Sequence, residues 1–265
     1  QPQSALSQVI TDYFTILHHL PPFRRAGSPI TIELHSALAA PDRFYAVNPE
    51  ELWAHAIPLQ LAMGEALSLS VEDLLLYTCM HATYRHLLEL DARFLCDIDA
   101  IVRTYQQVID WKLVEAHARA WRWQNGVYLS LELAHTLLAT PLPTMLLQTL
   151  RPATFTPHLR AEALALLLGK EANTAIISGE FAQKWTNLRW YAKLGKAVRT
   201  ILLSRRKMAV YYPVAAHSPK VFLYYPVRVW DLLRQNLPRL RLLWRKDTAS
   251  TIERKSKLMA WLENA

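Results

Sequence analysis

The sequence predicts a mostly helical α+β chain in which a β-hairpin near the amino end is followed by a helical bundle. Glycine is scarce and tryptophan plentiful, 6 and 9 of 265 residues, which argues against an all-β or disordered chain and for packed helices. Capped segments with helical apolar spacing recur from Asn48 onward. A short stretch, Ile30 to His35, carries β character and is entered through the turn residues Gly27-Ser28-Pro29.

In chain order, residues 5–17 read as a helix, with strand character from Phe14 to Leu20 ended by Pro21-Pro22. Gly27-Ser28-Pro29 then turns the chain back into Ile30-Thr-Ile-Glu-Leu-His35. With a period of two, Ile30, Ile32 and Leu34 share one face and Thr31, Glu33 and His35 the other. A carboxylate placed like Glu33 is either solvated on an open face or set there to hold a cation. His18 and His19 lack a third ligand at a fixed spacing and read as surface or substrate-facing side chains.

Asn48 as N-cap, Pro49 at the first helical position and Glu51 behind it open a helix that Pro58 interrupts. Ser70 and Asp73 form a second capping pair, and the helix they start should run to about His86. Asp91 caps its successor, Ala92 to Tyr105. Asp110 caps another, which the pair Asn125-Gly126 is expected to close with a left-handed stop. Tyr128 to Leu138 follows, ended by Pro141 and Pro143, and Thr156-Pro157 starts a helix that stops at Gly169.

The densest polar constellation is His81, Arg85, His86, Arg93 and Asp97. His81 and Arg85 share a helical face at i and i+4, and an antiparallel second helix brings Asp97 toward them. Two readings stand: a buried hydrogen-bonded cluster that orients two helices, or a group that presents a histidine or Arg85 to phosphate in a cleft. Asp97-Ile98-Asp99 imitates a metal-binding carboxylate pair, but its flanks keep a helical period, and residues two apart on a helix point in different directions.

Cys79 and Cys96 lie in apolar helical patterns, with no metal or redox spacing, so a reduced, cytoplasmic setting is expected. No apolar run reaches the roughly 18 to 20 residues of a spanning helix. The net charge of +8 is uneven: 18 Lys or Arg stand against 3 Asp or Glu between Lys184 and Lys257, which leaves 12 against 19 elsewhere. Arg205-Arg206-Lys207 and Arg228 interleave there with Tyr211-Tyr212 and Tyr224-Tyr225 as candidate anion-binding residues. A solvated face, an anionic membrane surface peripheral to the inner membrane face, and single-stranded nucleic acid all fit that pattern, nucleic acid least well.

Leu20-Pro-Pro-Phe-Arg-Arg25, Ile32-Glu-Leu-His35, Asn48-Pro-Glu-Glu-Leu-Trp53, Glu72-Asp-Leu-Leu-Leu76 leading to His81-Ala82 and His86, Arg93-Phe-Leu-Cys-Asp-Ile98 and Ile109-Asp-Trp111 follow one another in a recognisable order. In that order the chain resembles a poorly characterised bacterial nucleotidyltransferase family with a polymerase-β-like fold and a helical C-terminal region. The resemblance implies that residues 1–47 are the C-terminal part of a catalytic domain, its hairpin a remnant. Residues 48–180 then form a helical bundle domain, and residues 181–265 a basic, aromatic-rich helical region.

It implies an enzyme that transfers a nucleoside monophosphate from an NTP to an acceptor, a sugar or a peptide, with magnesium held by three carboxylates. Glu33 takes the place of the third, as catalytic and metal-binding residue, while His35, His81, Arg85, His86, Arg93 and Asp97 line the cleft or support it. The opening Gln1 and the lack of a Gly-Ser step before an Asp-x-Asp strand suggest an N-terminally truncated chain, inactive alone. The alternative is a non-catalytic basic helical module for an anionic membrane surface, a nucleic acid or a protein partner.

Overall fold

A computed structural model describes residues 11, 19–38, 47–89, 92–168, 195, 198–243 and 246–264, the side chains of 235–249 excepted. Its named elements are β1 (Phe23–Arg24), β2 (Thr31–Ile32), α1 (Pro49–His55), β3 (Ile57–Leu61), β4 (Gly64–Ser68) and α2 (Val71–Met80). After a π-helical turn (His81–Arg85) come α3 (Arg93–Tyr105), α4 (Trp111–Ala120), α5 (Gln124–Leu138), α6 (Leu146–Leu150) and α7 (Pro157–Leu168). Then follow α8 (Arg205–Tyr211), a 3-10 turn (Pro219–Leu223), α9 (Tyr224–Leu243) and α10 (Lys246–Glu263). The described residues are therefore mostly helical with two small antiparallel hairpins, as expected of an α+β protein dominated by α. It divides into two compact units, one of residues 1–43 with 188–241 and one of residues 44–187 with 242–265.

In the first unit, Phe23 pairs with Ile32 and Arg24 with Thr31 around a turn closed by Ser28 N–H to the Arg25 carbonyl at 3.0 Å, with Gly27 at φ 77°. Farther out His19 bridges His35. Three residues, Leu20 to Pro22, thus lie opposite two, Glu33 and Leu34. Prolines that cannot donate to a ladder sit where a bulge needs no donor. Tyr211, Tyr225, Phe222 and their arginines gather around α8 and the start of α9 in the same unit. The expected helix over residues 5–17 falls almost wholly outside the described residues.

The second unit is organised around α5, buried on every side from Asn125 to Ala134. A helix apolar all round belongs in the middle of a bundle, and α2, α3, α4, α6 and α10 pack against it. Several helix starts follow the expected chemistry: Asn48 accepts from Glu50 N–H, Ser70 from Asp73 N–H, Asp110 from Lys112 and Leu113 N–H, and Thr156 from Leu159 N–H. Asp91 and Gly169 lie outside the described residues.

Three local readings need correction. The stretch after α1 does not continue the expected helical bundle, because beyond the interruption at Pro58 β3 and β4 form a hairpin from Ile57 to Ser68 whose turn is followed by Gly64 at φ 141°. The helix from Val71 does not run in one register to His86, because it loosens into the π turn after Met80. Asn125-Gly126 does not stop a helix but lies in the first turn of α5.

The left-handed residue that ends α4 is Arg122, at φ 59°, with Arg122 N–H bonded to the Arg119 carbonyl and Trp123 N–H to the Ala118 carbonyl. That is a Schellman ending with arginine where glycine is usual. Gly126 has another job, since a Cβ there would stand 2.4 Å from Tyr84 Cε2 and 2.5 Å from Thr83 Oγ1. Gly126→Ala is expected to lose about 1–3 kcal/mol by overpacking, against which a better helix propensity returns at most about 1 kcal/mol. Urea melts of the two proteins check this, and a variant as stable as wild type would show that the α5 contact is not tight.

Candidate functional site

Glu33 follows β2 directly and is exposed on the hairpin, its side chain 47% accessible. Its Oε2 stands 3.5 Å from Nε2 of His35, two residues on, so the shared face expected of Glu33 and His35 is formed. The His19 ring lies beside His35 with centroids 5.3 Å apart. Among the described residues Glu33 belongs to no group of three potential metal ligands. Magnesium prefers several oxygen ligands in an octahedron. Glu33 can thus supply one of them, but the described residues do not by themselves build a two-metal centre.

The π turn rearranges the histidine cluster. In an α-helix His81 would face Arg85; widening the turn to i→i+5 brings His81 and His86 together instead, with their Nε2 atoms 3.1 Å apart. Arg85 is exposed, and Asp97 and Arg93 are exposed on α3. Asp99, by contrast, accepts from Arg103 at 2.8 Å and from Thr140 at 2.7 Å. The Arg103 guanidinium holds its carboxyl below the usual range. Asp97 and Asp99 therefore serve different surroundings, as residues two apart on a helix must.

Burial, reinforced by the Arg85 charge, holds His86 below the ordinary imidazole range. A histidine whose folded pKa is depressed contributes stability that is complete above its unfolded value, near 6.5, and is lost as pH falls from there through the folded value. His86→Gln is expected to flatten the stability profile below about pH 6.5, read from melting temperature against pH. An unchanged acid slope would sink the assignment.

The basic residues of the other unit are partly committed. Arg205 lies over the Phe222 ring at 4.7 Å and Arg228 over Tyr211 at 5.3 Å. Arg228 also donates from Nε and from a terminal nitrogen to the Thr200 carbonyl at 2.9 and 2.7 Å. Arg206 and Lys207 are exposed in the first turn of α8. No helix among the described residues is long and apolar enough to cross a membrane.

A third cluster escaped sequence reasoning. His55 ends α1, Asp73 lies in the first turn of α2 and His117 lies two turns into α4. Ser70 holds the Asp73 backbone, as a capping serine does, but the Asp73 carboxylate turns inward. Its Oδ1 is 3.3 Å from Nδ1 of His117 and its Oδ2 3.4 Å from Nδ1 of His55. Asp73 is wholly buried, whereas the His117 and His55 side chains are 13% and 35% accessible. The two imidazoles stack at 5.4 Å, and Trp121 stacks on His117 at 4.5 Å. Glu72 accepts from the Asp110 backbone at 2.8 Å, fixing the start of α4 against α2. No spacing rule links residues 55, 73 and 117, so only the packing of three elements reveals the group.

Residues 8–139 match the model of a family described as uncharacterised nucleotidyltransferase. The match runs from before the Glu33 hairpin to the residue after α5 and takes in both histidine clusters. No curated protein and no solved structure matches the chain.

Proposed function

Because residues 8–139 belong to the uncharacterised nucleotidyltransferase family, we propose that the protein transfers a nucleoside monophosphate from an NTP to an acceptor hydroxyl on a sugar or peptide. An acceptor oxygen attacks the α-phosphorus, the bond from that phosphorus to the bridging oxygen of the β-phosphate breaks, pyrophosphate leaves, and the hydroxyl proton passes to solvent or a base. Magnesium, when bound, supplies activation of the acceptor oxygen and neutralisation of the triphosphate.

The observation that supports this reading most is the setting of Glu33. A bare carboxylate stands on the rim of a hairpin, beside an imidazole and opposite a Pro-Pro bulge, inside the matched segment. In this reading Glu33 is one magnesium ligand, and the other carboxylates are not among the described neighbours of the hairpin. His35 orients Glu33 from the same face. The paired imidazoles of His81 and His86, set in the buried π turn, position α2 against α3.

The experiment is pyrophosphate release by the protein with each of the four triphosphates and magnesium, in the presence of hexose and peptide acceptors. Release that depends on one triphosphate and on magnesium supports the proposal. No release above the metal-free control with any donor would overturn it.

A further inference from the structure

We propose that His55, Asp73 and His117 form a mononuclear site for a borderline transition-metal dication of the zinc class, distinct from any magnesium bound at Glu33. The first argument is distance. A carboxylate that only hydrogen-bonds two imidazoles draws their nitrogens to about 2.7–2.9 Å. Here His117 Nδ1 stands off at 3.3 Å from Oδ1 and His55 Nδ1 at 3.4 Å from Oδ2, one imidazole to each carboxylate oxygen. Zinc bonds of about 2.0–2.1 Å in a tetrahedron put neighbouring ligand atoms about 3.3 Å apart. The three residues each offer one donor, and all the donors lie within 4.8 Å of one another.

The second argument is satisfaction. Asp73 Oδ2 and His55 Nδ1 are both buried atoms without a hydrogen-bond partner, although they face each other. Buried carboxylate oxygens are rarely left so, and a cation between them and the imidazoles supplies what each lacks. Two neutral imidazole nitrogens with one carboxylate is a donor set that suits zinc, cobalt or nickel and disfavours magnesium.

The third is architecture. Asp73 and His117 are anchored by the α2–α4 packing, while α1 buries only Leu52 of its seven residues. His55 is thus the second point at which α1 is tied to the unit, and a metal there would staple it. Three protein ligands leave a fourth position open on the accessible His55 side, the arrangement of sites that keep a water or ligand on the metal.

The test uses the full chain, stripped with a chelator and dialysed. Cobalt is expected to bind at one equivalent with the intense visible spectrum of a tetrahedral ion, to be displaced by zinc, and to be unmoved by a hundredfold excess of magnesium. Zinc is expected to raise the melting temperature and to slow amide exchange in α1. His55→Gln, on the accessible side and unneeded for the core, should keep wild-type far-ultraviolet dichroism and bind cobalt at least tenfold more weakly. Asp73→Asn should remove the spectrum. Absence of a one-equivalent cobalt spectrum in wild type, or a folded His55→Gln that binds cobalt as wild type does, overturns the site.

Discussion

Glu33→Gln is expected to lower magnesium-dependent pyrophosphate release by a hundredfold or more and to leave the melting temperature where it was. The two halves of that result have separate causes. Among the described contacts the Glu33 side chain meets only the His35 imidazole, at 3.5 Å, and half of it faces water. Surface positions of that kind change stability by no more than about 0.5 kcal/mol.

The loss of rate follows from charge. Glutamine keeps the shape and one oxygen but removes the negative charge that a divalent ion needs from a ligand. If that ion stabilises the departing pyrophosphate, losing about 3 kcal/mol of transition-state stabilisation corresponds to more than a hundredfold. A variant with wild-type turnover and wild-type magnesium dependence would remove Glu33 from the chemistry. A His35→Gln protein that keeps most of its rate would place His35 in an orienting role rather than at the reacting atoms.

Much of the helical unit is legible in its sequence because capping is local chemistry. Ser70, Asp110 and Thr156 each bond the backbone two or three residues on, and those contacts depend on nothing distant. What could not be read depends on neighbours far along the chain. Asn125-Gly126 looks like a stop because glycine is the usual left-handed residue. Here the glycine exists to let Thr83 and Tyr84 approach, and Arg122 takes the left-handed turn. The β3–β4 hairpin was hidden because Pro58 reads as a helix breaker and the exposed strands lack a clean apolar face.

The candidate sites divide in the same way. Glu33 and His35 share a face because a strand's period of two is a local rule. His81 and His86 meet only because the helix widens into a π turn, and residues 55, 73 and 117 meet only through the packing of α1, α2 and α4. Charge counting carries a similar blind spot. Lys255 belongs to the basic half by composition, yet its side chain is fully buried.

That buried lysine gives the largest stability effect expected: Glu89→Ala should destabilise the protein by about 3–5 kcal/mol. Lys255 Nζ stands 2.5 Å from Glu89 Oε1, just beyond the π turn against which α10 packs. Glu89 is held there by an unusual approach, since Leu87 and Leu88 are both left-handed, at φ 49° and 66°, and both buried. Alanine at 89 leaves an ammonium in the interior without its counter-charge, which costs more than the pair contributes.

The partner change is milder, because Glu89 keeps 15% of its side chain at the surface and can turn to water after Lys255→Met. The double variant Glu89→Ala with Lys255→Met should recover most of the loss, as apolar replacements of buried ion pairs do. Urea melts of the four proteins measure the cycle. A Glu89→Ala loss below about 1 kcal/mol, the range of an exposed pair, would mean that Lys255 reaches water in solution and that α10 is held by its apolar face alone.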